Sequence, residues 1–343
     1  MSEPVSIIIL NHNGKKYLND CLSSVLDQSY QDFEIVFFDN NSVDGSIDFV
    51  REKFRGERIK IVESKTNLGF AGGNNEALKY VNHDLVVLLN NDTVTDKEWL
   101  SQLVKAMYTG NTIASSYVIT EGINPKYYET NGSVSYVMYN VMNIFERIED
   151  EFYPNGCSVA FRMSEILVPF DSDYFFYGDD LYMGLKARFM GLRIKFVKDS
   201  IVKHKGGGTI SGSIMKTFYQ ERNRMLNLYL FFSFFFILRI SPLIFITNVA
   251  RIIQSVFTSR TSFHGIVKAH FWLYFHIPSI IRKRNELKKS KRVHESEVIS
   301  FMTSKLLNDE QAAYKFINRI SYFYSRIAGI KPIEYYQKRT NRQ

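Results

Sequence analysis

Three short apolar runs that each end in polar residues constrain the fold of this chain more than any other feature. They are VSIIIL at 5–10, EIVFFD at 34–39 and LVVLLN at 85–90. Each run is rich in β-branched or aromatic residues, and segments of helical periodicity such as GKKYLNDCLSSVLDQS separate them. This alternation predicts βαβ units and an α/β fold with a mainly parallel sheet and flanking helices.

The polar residues that follow these runs indicate where a ligand binds. They are Asn11, His12 and Asn13 at the end of the first run, Asp39, Asn40, Asn41 and Ser42 at the end of the second, and Asn90, Asn91 and Asp92 at the end of the third. Parallel sheets bind ligands in the crevice beyond the carboxyl ends of their strands. We therefore expect these side chains to face one cleft.

Charge and cysteine content narrow the class of protein. The net charge of +8 favours anionic partners, which include nucleic acid, nucleotide diphosphates and acidic lipid. Nucleic acid is disfavoured because most of the basic excess lies beyond an apolar segment near the C-terminus. With two cysteines, Cys21 and Cys157, neither a disulfide framework nor a thiolate zinc site is expected, which fits a reducing compartment.

The C-terminal part changes character twice. Residues 225–257 are strongly apolar but interrupted by Arg239, Pro242 and Asn248, so neither half reaches the roughly 18 to 20 apolar residues of a spanning helix. A basic run follows at 282–292. This order predicts helices that lie on an anionic membrane surface. The alternative is that the tail aromatics pack on the rest of the chain or on a second subunit of a homodimer.

Four ordered motifs give the chain a family resemblance. They are SIIILNHNGKKYLNDCLSSVLDQSYQDFEIVFFDNNSVDGS, NLGFAGGNNEAL, LLNNDT, and YGDDLYMGLKAR with the later VKHKGGG. Together they resemble the family 2 inverting glycosyltransferases of GT-A type fold, especially their rhamnosyltransferase-like branch. The resemblance covers about Pro4 to Arg224. It implies a catalytic domain at 1–215 and a helical, membrane-associating region at 216–343.

The resemblance implies roles for the donor site. Asp39 matches the residue that contacts the nucleoside, although a turn residue is the alternative. The donor-binding positions implied by these motifs are Asn11, Asn13, Asn41, Asn67, Gly69, Gly72, Asn74, Asn91, Asp92, Gly156 and Arg162. In NLGFAGGNN the glycines allow the backbone to approach a ligand closely. The motif is not a dinucleotide-binding GxGxxG, so a dinucleotide fold is disfavoured.

The resemblance also implies the metal ligands and the catalytic base. Asp92 and His204 match the positions that hold Mg2+ or Mn2+ on the donor diphosphate, with a helix cap and a surface histidine as the alternatives. Asp180 matches the general base, and Asp179 is given an acceptor-orienting role. Adjacent carboxylates can raise the pKa of one of them by mutual repulsion. Either aspartate can also cap the helix that follows.

The expected function is inverting transfer of a sugar from a UDP- or dTDP-sugar, with dTDP-rhamnose as one candidate, to a glycan acceptor. The membrane-associating tail favours a lipid-linked acceptor at the cytoplasmic face of the cell membrane, with a cytoplasmic location as the alternative. Two other functions stay open. A sugar-nucleotide pyrophosphorylase needs an N-terminal Gly-rich phosphate loop, which ILNHNGKKYL lacks. An inactive binding or scaffolding relative would have lost the aspartate pair or His204.

Overall fold

The computed structural model describes residues 3–108, 110, 112–122, 133–141, 151–206, 213–257, 261–308 and 312–340. The chain forms two compact units. The first comprises residues 1–129, 154–183 and 192–209, and the second comprises 130–153, 184–191 and 210–343. The chain therefore passes between the units several times, whereas the sequence suggested one division near residue 215.

Eight strands among the described residues of the first unit form one mixed sheet. In chain order they are β1 (Val5–Asn11), β2 (Phe33–Asp39), β3 (Ile59–Glu63), β4 (Leu85–Asn90), β5 (Thr93–Thr95), β6 (Thr112–Thr120), β9 (Ser158–Arg162) and β10 (Arg193–His204). Across the sheet their order is β3-β2-β1-β4-β9-β6-β10-β5. The strands β3, β2, β1 and β4 are parallel, β9 runs antiparallel to both neighbours, and β10 is parallel to β6.

The register of the central strands brings their polar ends together. Asn11 at the end of β1 pairs with Asp39 of β2, and the preceding Leu10 pairs with Asn90 of β4. The apolar residues before them are buried on both faces of the sheet, as expected for parallel strands covered by helices. The predicted runs and the meeting of their carboxyl ends at one edge are confirmed.

Helices cover the sheet of the first unit. They are α1 (Lys15–Leu26), α2 (Ser46–Lys53), α3 (Gly69–Ala77), a 3-10 turn (Leu78–Tyr80) and α4 (Trp99–Met107). Helix α1 buries one face, formed by Leu18, Cys21, Leu22 and Val25 at helical spacing, in the core of β1, β2 and β4. The helix predicted in GKKYLNDCLSSVLDQS is therefore confirmed.

The segment from Asn111 to Arg162, whose Tyr- and Asn-rich composition is typical of loops, contains two strands of the central sheet. Strands β6 and β9 lie side by side, and β9 inserts antiparallel next to β4. The local sequence does not reveal these two strands, because the strands that pair with them are distant along the chain. Residues 123–132 and 142–150 of this segment lie outside the described residues.

The second unit is mainly helical. Its described elements are β7 (Ser133–Val134), β8 (Asn140–Val141), the end of α5 (Asp179–Phe189), α6 (Ser213–Phe231), α7 (Phe234–Phe257), α8 (Phe263–Phe275), α9 (Ile277–Ser290), α10 (Glu295–Ser300), α11 (Ala312–Ile327) and α12 (Ile333–Thr340). Gly191, at φ +80°, follows α5 and ends it as the sequence predicted.

Helix α7 corrects the expectation that neither half of the apolar segment at 225–257 reaches the length of a membrane-spanning helix. It continues through Pro242, so its two halves form one helix of 24 residues. By length and composition alone, α7 is the one helix in the described part of the chain that could cross a membrane. Core helices of soluble proteins also reach this length and apolar content, so these two properties alone do not identify a membrane span.

Two of the seven cations expected to face lipid in the basic run bind protein instead. Arg284 donates to the Tyr229 carbonyl at 2.9 Å. Lys291 donates to the Phe231 carbonyl, and its ammonium lies 3.9 Å from the centroid of the Phe189 ring. Burial, and secondarily the nearby Arg284, lower the pKa of Lys291 to about 8. These two side chains therefore stabilise the second unit.

Candidate active site

A pocket of about 550 Å³ opens at the carboxyl ends of the central strands, within the first unit. The sequence-predicted residues that line it are Asn13, Asn67, Gly69, Asn91, Asp92, Gly156, Asp179, Asp180 and His204. Residues from β1, β4, β6, β10, α3 and α5 thus meet in one cavity. The other predicted site residues, Asn11, Asp39, Asn41, Gly72, Asn74 and Arg162, do not line it.

Asn11 joins the ends of the three central strands below the pocket. Its side-chain amide donates to Asp39 Oδ1 at 2.9 Å and to Ser42 Oγ at 3.0 Å, and its Oδ1 accepts from Asn91 Nδ2 at 2.6 Å. Gly14 packs against this junction, because a Cβ there would lie 2.1 Å from Asn91 Nδ2. Asn11 and Asp39 are buried, so they orient the pocket-lining residues from behind.

The turn after β2 holds Asp39 and Asn41. Asp39 Oδ2 accepts from the backbone N–H of Ser42 at 2.8 Å. Asn13 and Asn41 adopt left-handed conformations, at φ 51° and 65°, which asparagine tolerates better than most residues. Their neighbour Asn40, which the sequence placed at the same strand end, lines the pocket and donates to Asn67 Oδ1 at 3.1 Å.

The NLGFAGGNN segment enters α3 beside the pocket. Asn67 Oδ1 accepts from the Gly69 N–H at 2.9 Å, and Gly69 has φ +72°. A Cβ on Gly69 would lie 2.6 Å from the Phe175 carbonyl, so this approach requires glycine. Asn74 donates to the Phe70 carbonyl inside α3, and Gly72 is next to Leu68. Gly72 and Asn74 therefore make contacts within α3 and do not line the pocket, and their role in donor binding stays a prediction.

Asp92 and His204 form a carboxylate–imidazole pair. Asp92 follows β4, and His204 ends β10, where it pairs with Thr93 of β5. Asp92 Oδ1 lies 3.2 Å from His204 Nε2, and His204 Nδ1 lies 3.2 Å from Thr120 Oγ1. The contact with Thr120 orients the ring so that Nε2 faces the carboxylate. Helix α4 begins seven residues after Asp92, so the helix-cap alternative for this aspartate is excluded.

This pair fits a hard divalent cation. Two adjacent ligands of an octahedral cation at about 2.1 Å lie about 3 Å apart, close to the observed separation. A carboxylate oxygen and an imidazole nitrogen suit Mg2+ or Mn2+ when substrate oxygens complete the shell. Within the described ranges, no group of three or more His, Cys, Asp or Glu residues forms a closed metal site. The pair would therefore hold a cation together with a ligand.

Asp179 and Asp180 begin α5 and line the same pocket. Asp179 is buried, and burial together with the neighbouring Asp180 carboxylate raises its pKa well above the usual range. Burial also raises the pKa of Asp180, while hydrogen bonds from its own backbone N–H and from the Gly156 N–H oppose that rise. Within the pair, Asp179 therefore keeps a proton more readily, and Asp180 is the better candidate to accept one.

Replacing Asp179 with Asn should stabilise the protein at high pH and leave it unchanged at low pH. A carboxyl group whose folded pKa is raised contributes stability below its unfolded pKa, and that contribution is lost as the pH rises through the folded pKa. Asn cannot ionise, so we expect the melting temperature of Asp179→Asn to exceed that of the wild type by about 2–4 °C at pH 8.

Calorimetry at pH 4 and pH 8 measures this difference. The matched control is Asp199→Asn, because Asp199 is an exposed carboxylate on β10. Equal melting temperatures for Asp179→Asn and the wild type at pH 8 would show that folding does not raise the pKa of Asp179.

Arg162 was predicted to bind the donor, but the structure places it away from the pocket. Its guanidinium binds Glu3 bidentately and lies 3.7 Å from Asp84. Because β9 runs antiparallel to β4, Arg162 pairs with Leu85 at the start of β4, away from the pocket. Gly156, just before β9, lies at the pocket instead, where a Cβ would be 3.5 Å from the Asp180 carboxylate.

Comparisons with known proteins agree with this geometry. The family described as Glycosyl transferase family 2 matches residues 6–167. The matched residues, just under half of the chain, include β2 to β9 and all of β1 except Val5, and the pocket residues Asp179, Asp180 and His204 follow them along the chain. The prediction of a glycosyltransferase is confirmed at this level, and the rhamnosyltransferase-like branch stays a prediction.

One relative and two solved structures illustrate the likeness. Over 123 residues the chain is 32% identical to the Escherichia coli UDP-Glc:alpha-D-GlcNAc-diphosphoundecaprenol beta-1,3-glucosyltransferase WfgD, covering 35% of this chain and 47% of that protein. Staphylococcus aureus TarS 1-349 in complex with UDP-GlcNAc is similar with TM-score 0.54 and 16% identity, covering 95% of this chain and 88% of that one. The Pyrobaculum calidifontis mannosyltransferase PcManGT, in complex with GDP-Man and Mn2+, has TM-score 0.52 and 15% identity over 95% and 86%.

These likenesses confirm the predicted GT-A fold. At such low identity the structural neighbours show the fold alone. The matches to three curated glycosyltransferases from Haemophilus influenzae and Bacillus subtilis span 31%, 55% and 41% of the length of those proteins. The donor, the acceptor and the partners of this protein are therefore proposals.

Proposed function

We propose that this protein is a metal-dependent, inverting glycosyltransferase that moves a sugar from a nucleotide diphosphate to a hydroxyl of a glycan acceptor. Its pathway would be the synthesis of a surface polysaccharide or glycoconjugate. The observation that carries the proposal is that one pocket contains both the Asp92–His204 pair and the Asp179–Asp180 pair. The Asp92–His204 pair suits a leaving diphosphate, and the Asp179–Asp180 pair suits an attacking hydroxyl.

The donor nucleotide lies along the strand ends in this proposal. Asn13, Asn67 and the Gly69 backbone line the pocket there and can hydrogen-bond a nucleoside. Asp39 lies behind the pocket, where it accepts from Asn11 and from the Ser42 N–H and so positions the residues that line it. UDP- and dTDP-sugars are the candidate donors, with dTDP-rhamnose among them.

Asp92 and His204 would hold Mg2+ or Mn2+ against the donor diphosphate. The cation supplies neutralisation of the negative charge that develops on the leaving diphosphate. Thr120 keeps the His204 ring in place, so the imidazole loses little freedom when it binds. Lys16 also lines the pocket and adds positive charge near the diphosphate.

Asp180 acts as the general base. It takes the proton of the acceptor hydroxyl as that oxygen bonds to the anomeric carbon, while the bond from this carbon to the diphosphate oxygen breaks. Attack on the face opposite the leaving group inverts the anomeric configuration. The buried neighbour Asp179 retains its own proton and can donate it in a hydrogen bond to the acceptor, which orients the attacking oxygen.

The acceptor in this proposal is a lipid-linked glycan at the cytoplasmic face of the membrane. Exposed cations of the basic run and exposed apolar side chains of the second unit support this location. The name of the relative WfgD specifies a diphosphoundecaprenol acceptor, which is consistent with lipid linkage here. A purely cytoplasmic location with a soluble acceptor is the alternative.

A donor panel tests the proposed function. Thermal shift with UDP, dTDP and GDP in Mn2+ should identify the nucleobase, and nucleotide release with the matching sugars and a lipid-linked acceptor should then give turnover. An inactive binding relative would show a thermal shift with a nucleotide but no acceptor-dependent release. A pyrophosphorylase would release pyrophosphate from a nucleoside triphosphate and a sugar phosphate without any acceptor.

A further inference from the structure

Helix α11 has its polar and apolar faces in reversed positions. Its buried side chains are polar: Asn318, Ser321 and Ser325. Its exposed side chains include an apolar stripe at helical spacing: Phe316, Ile320, Phe323 and Ile327. A helix on the surface of a soluble protein normally turns its apolar stripe inward. The reversal indicates that something other than water covers the outer face of α11.

The polar face of α11 is fixed by specific hydrogen bonds, so the helix is not free to turn over. Asn318 Oδ1 accepts from the Leu306 N–H at 2.8 Å, and its amide donates to the Leu307 carbonyl at 2.7 Å. Ser321 Oγ donates to the Ser304 carbonyl at 2.6 Å. Rotating the helix to bury its apolar stripe would break these buried hydrogen bonds, which is costly.

Helix α7 presents a second apolar face beside it. The inner stripe of α7 is Phe236, Ile240, Leu243 and Thr247, all buried. Its outer stripe recurs every three or four residues and is exposed: Leu238, Pro242, Phe245, Val249, Ile252 and Val256. The Tyr324 hydroxyl donates to the Arg239 carbonyl at 2.5 Å, so α11 and α7 are neighbours. We call these two outer stripes together the apolar face.

Charge identifies what covers the apolar face. The sequence contains no Asp or Glu from Arg222 to Asn285, nor from Gln311 to Ile333. The exposed charges on the two helices are therefore all cationic, among them Arg239, Arg319 and Arg326. In a symmetric dimer each surface faces a copy of itself, which would place cations against cations. A bilayer with anionic lipid offers hydrocarbon for the stripes and phosphate for the cations.

We infer that the apolar face lies in the plane of an anionic membrane, with α7 and α11 at the boundary between headgroups and acyl chains. An in-plane position is favoured over a span because the inner side of α7 is bound to buried polar groups. Asn248 Oδ1 accepts from Arg224 at 2.6 Å, and the Arg251 side chain lies 3.6 Å from buried Glu221. This inference deepens the proposed location but does not depend on the transfer chemistry.

Vesicle co-sedimentation of the full chain, without donor or acceptor, tests the inference. We expect the wild type to bind phosphatidylcholine vesicles that contain phosphatidylglycerol and to bind pure phosphatidylcholine weakly. Phe316→Gln/Phe323→Gln/Ile327→Gln should lower the partition coefficient about 100-fold, since each loses apolar area buried in the bilayer. Arg319→Gln/Arg326→Gln should lower the preference for phosphatidylglycerol about tenfold at low salt.

The matched control is Tyr108→Gln/Leu167→Gln, which removes two exposed apolar side chains from the first unit and should leave binding unchanged. Circular dichroism checks that each variant keeps its helices. Wild-type binding by the α11 triple variant, or no binding of the wild type to anionic vesicles, would overturn the inference. A wild-type dimer that the triple variant dissociates, without vesicle binding, would show that a second copy covers the face.

Retention on vesicles distinguishes lying in the plane from crossing it. Wild type bound in the plane should be released by alkaline carbonate, whereas a spanning α7 would be retained. Because the assay contains no substrates, its failure leaves the proposed transfer reaction intact. Turnover of the triple variant on a short soluble acceptor should equal that of the wild type, which separates membrane binding from catalysis.

Discussion

Asp180→Asn is expected to reduce the transfer rate about 10²–10⁴-fold while the dissociation constant for the donor changes by no more than about threefold. The base acts on the acceptor proton in the transition state and has little contact with bound nucleotide. Asn has the same shape but cannot accept the proton. The loss should therefore appear in kcat and kcat/KM, with donor affinity preserved.

The measurement pairs single-turnover kinetics with titration calorimetry of the nucleotide. Asp199→Asn is the matched control, since Asp199 is exposed on β10 outside the pocket, and it should retain full activity. The wild-type rate should fall as the pH drops through the raised pKa of the base. A drop in donor affinity as large as the drop in rate would assign Asp180 to donor binding instead.

Removing the cation site should have the next largest effect. EDTA and Asp92→Ala are each expected to lower kcat about 10²–10³-fold and to weaken binding of the nucleoside diphosphate, because the charge on the diphosphate then lacks a counterion. His204→Ala should show a smaller defect that excess Mn2+ partly restores, since the carboxylate still binds the cation. Calorimetry of Mn2+ with UDP provides a readout that is independent of turnover.

The control for this series is Asp27→Ala, because Asp27 is an exposed carboxylate that lies 3.9 Å from Lys97. It should leave both cation and nucleotide binding unchanged. Full turnover in EDTA would show that the pocket needs no divalent cation. In that case basic side chains such as Lys16, which lines the same pocket, would have to neutralise the diphosphate.

The local pattern of the sequence was enough to predict the central part of the sheet and one edge of the site. Strands β1, β2 and β4 are apolar runs that are buried on both faces of the sheet, which helices cover, so their composition alone marks them. Parallel strands that are adjacent end at the same edge, which brings Asn13, Asn91 and Asp92 to one pocket. The roles of Asp92, His204, Asp179 and Asp180 came from the family resemblance.

Strand direction and helix orientation were decided only by the tertiary structure. The family resemblance assigns Arg162 to the donor site together with Gly156, but β9 runs antiparallel to β4 and carries Arg162 to the opposite edge. Asn40 lines the pocket while Asp39 and Asn41 do not, because the turn after β2 brings one of the three residues to the cavity, leaves Asp39 buried behind it and exposes Asn41 to solvent. Neighbouring positions in a sequence cannot reveal which side of a turn faces a cavity.

The C-terminal region shows most clearly which properties the sequence determines and which the tertiary structure decides. The sequence by itself determined that the region is helical, apolar and cationic, since these are properties of composition and period. Only the tertiary structure decided that α11 buries Asn318 and Ser321 and exposes Phe316 and Phe323. A periodic pattern shows that a helix has two different faces, but the hydrogen-bonding partners of the polar face decide which one points inward.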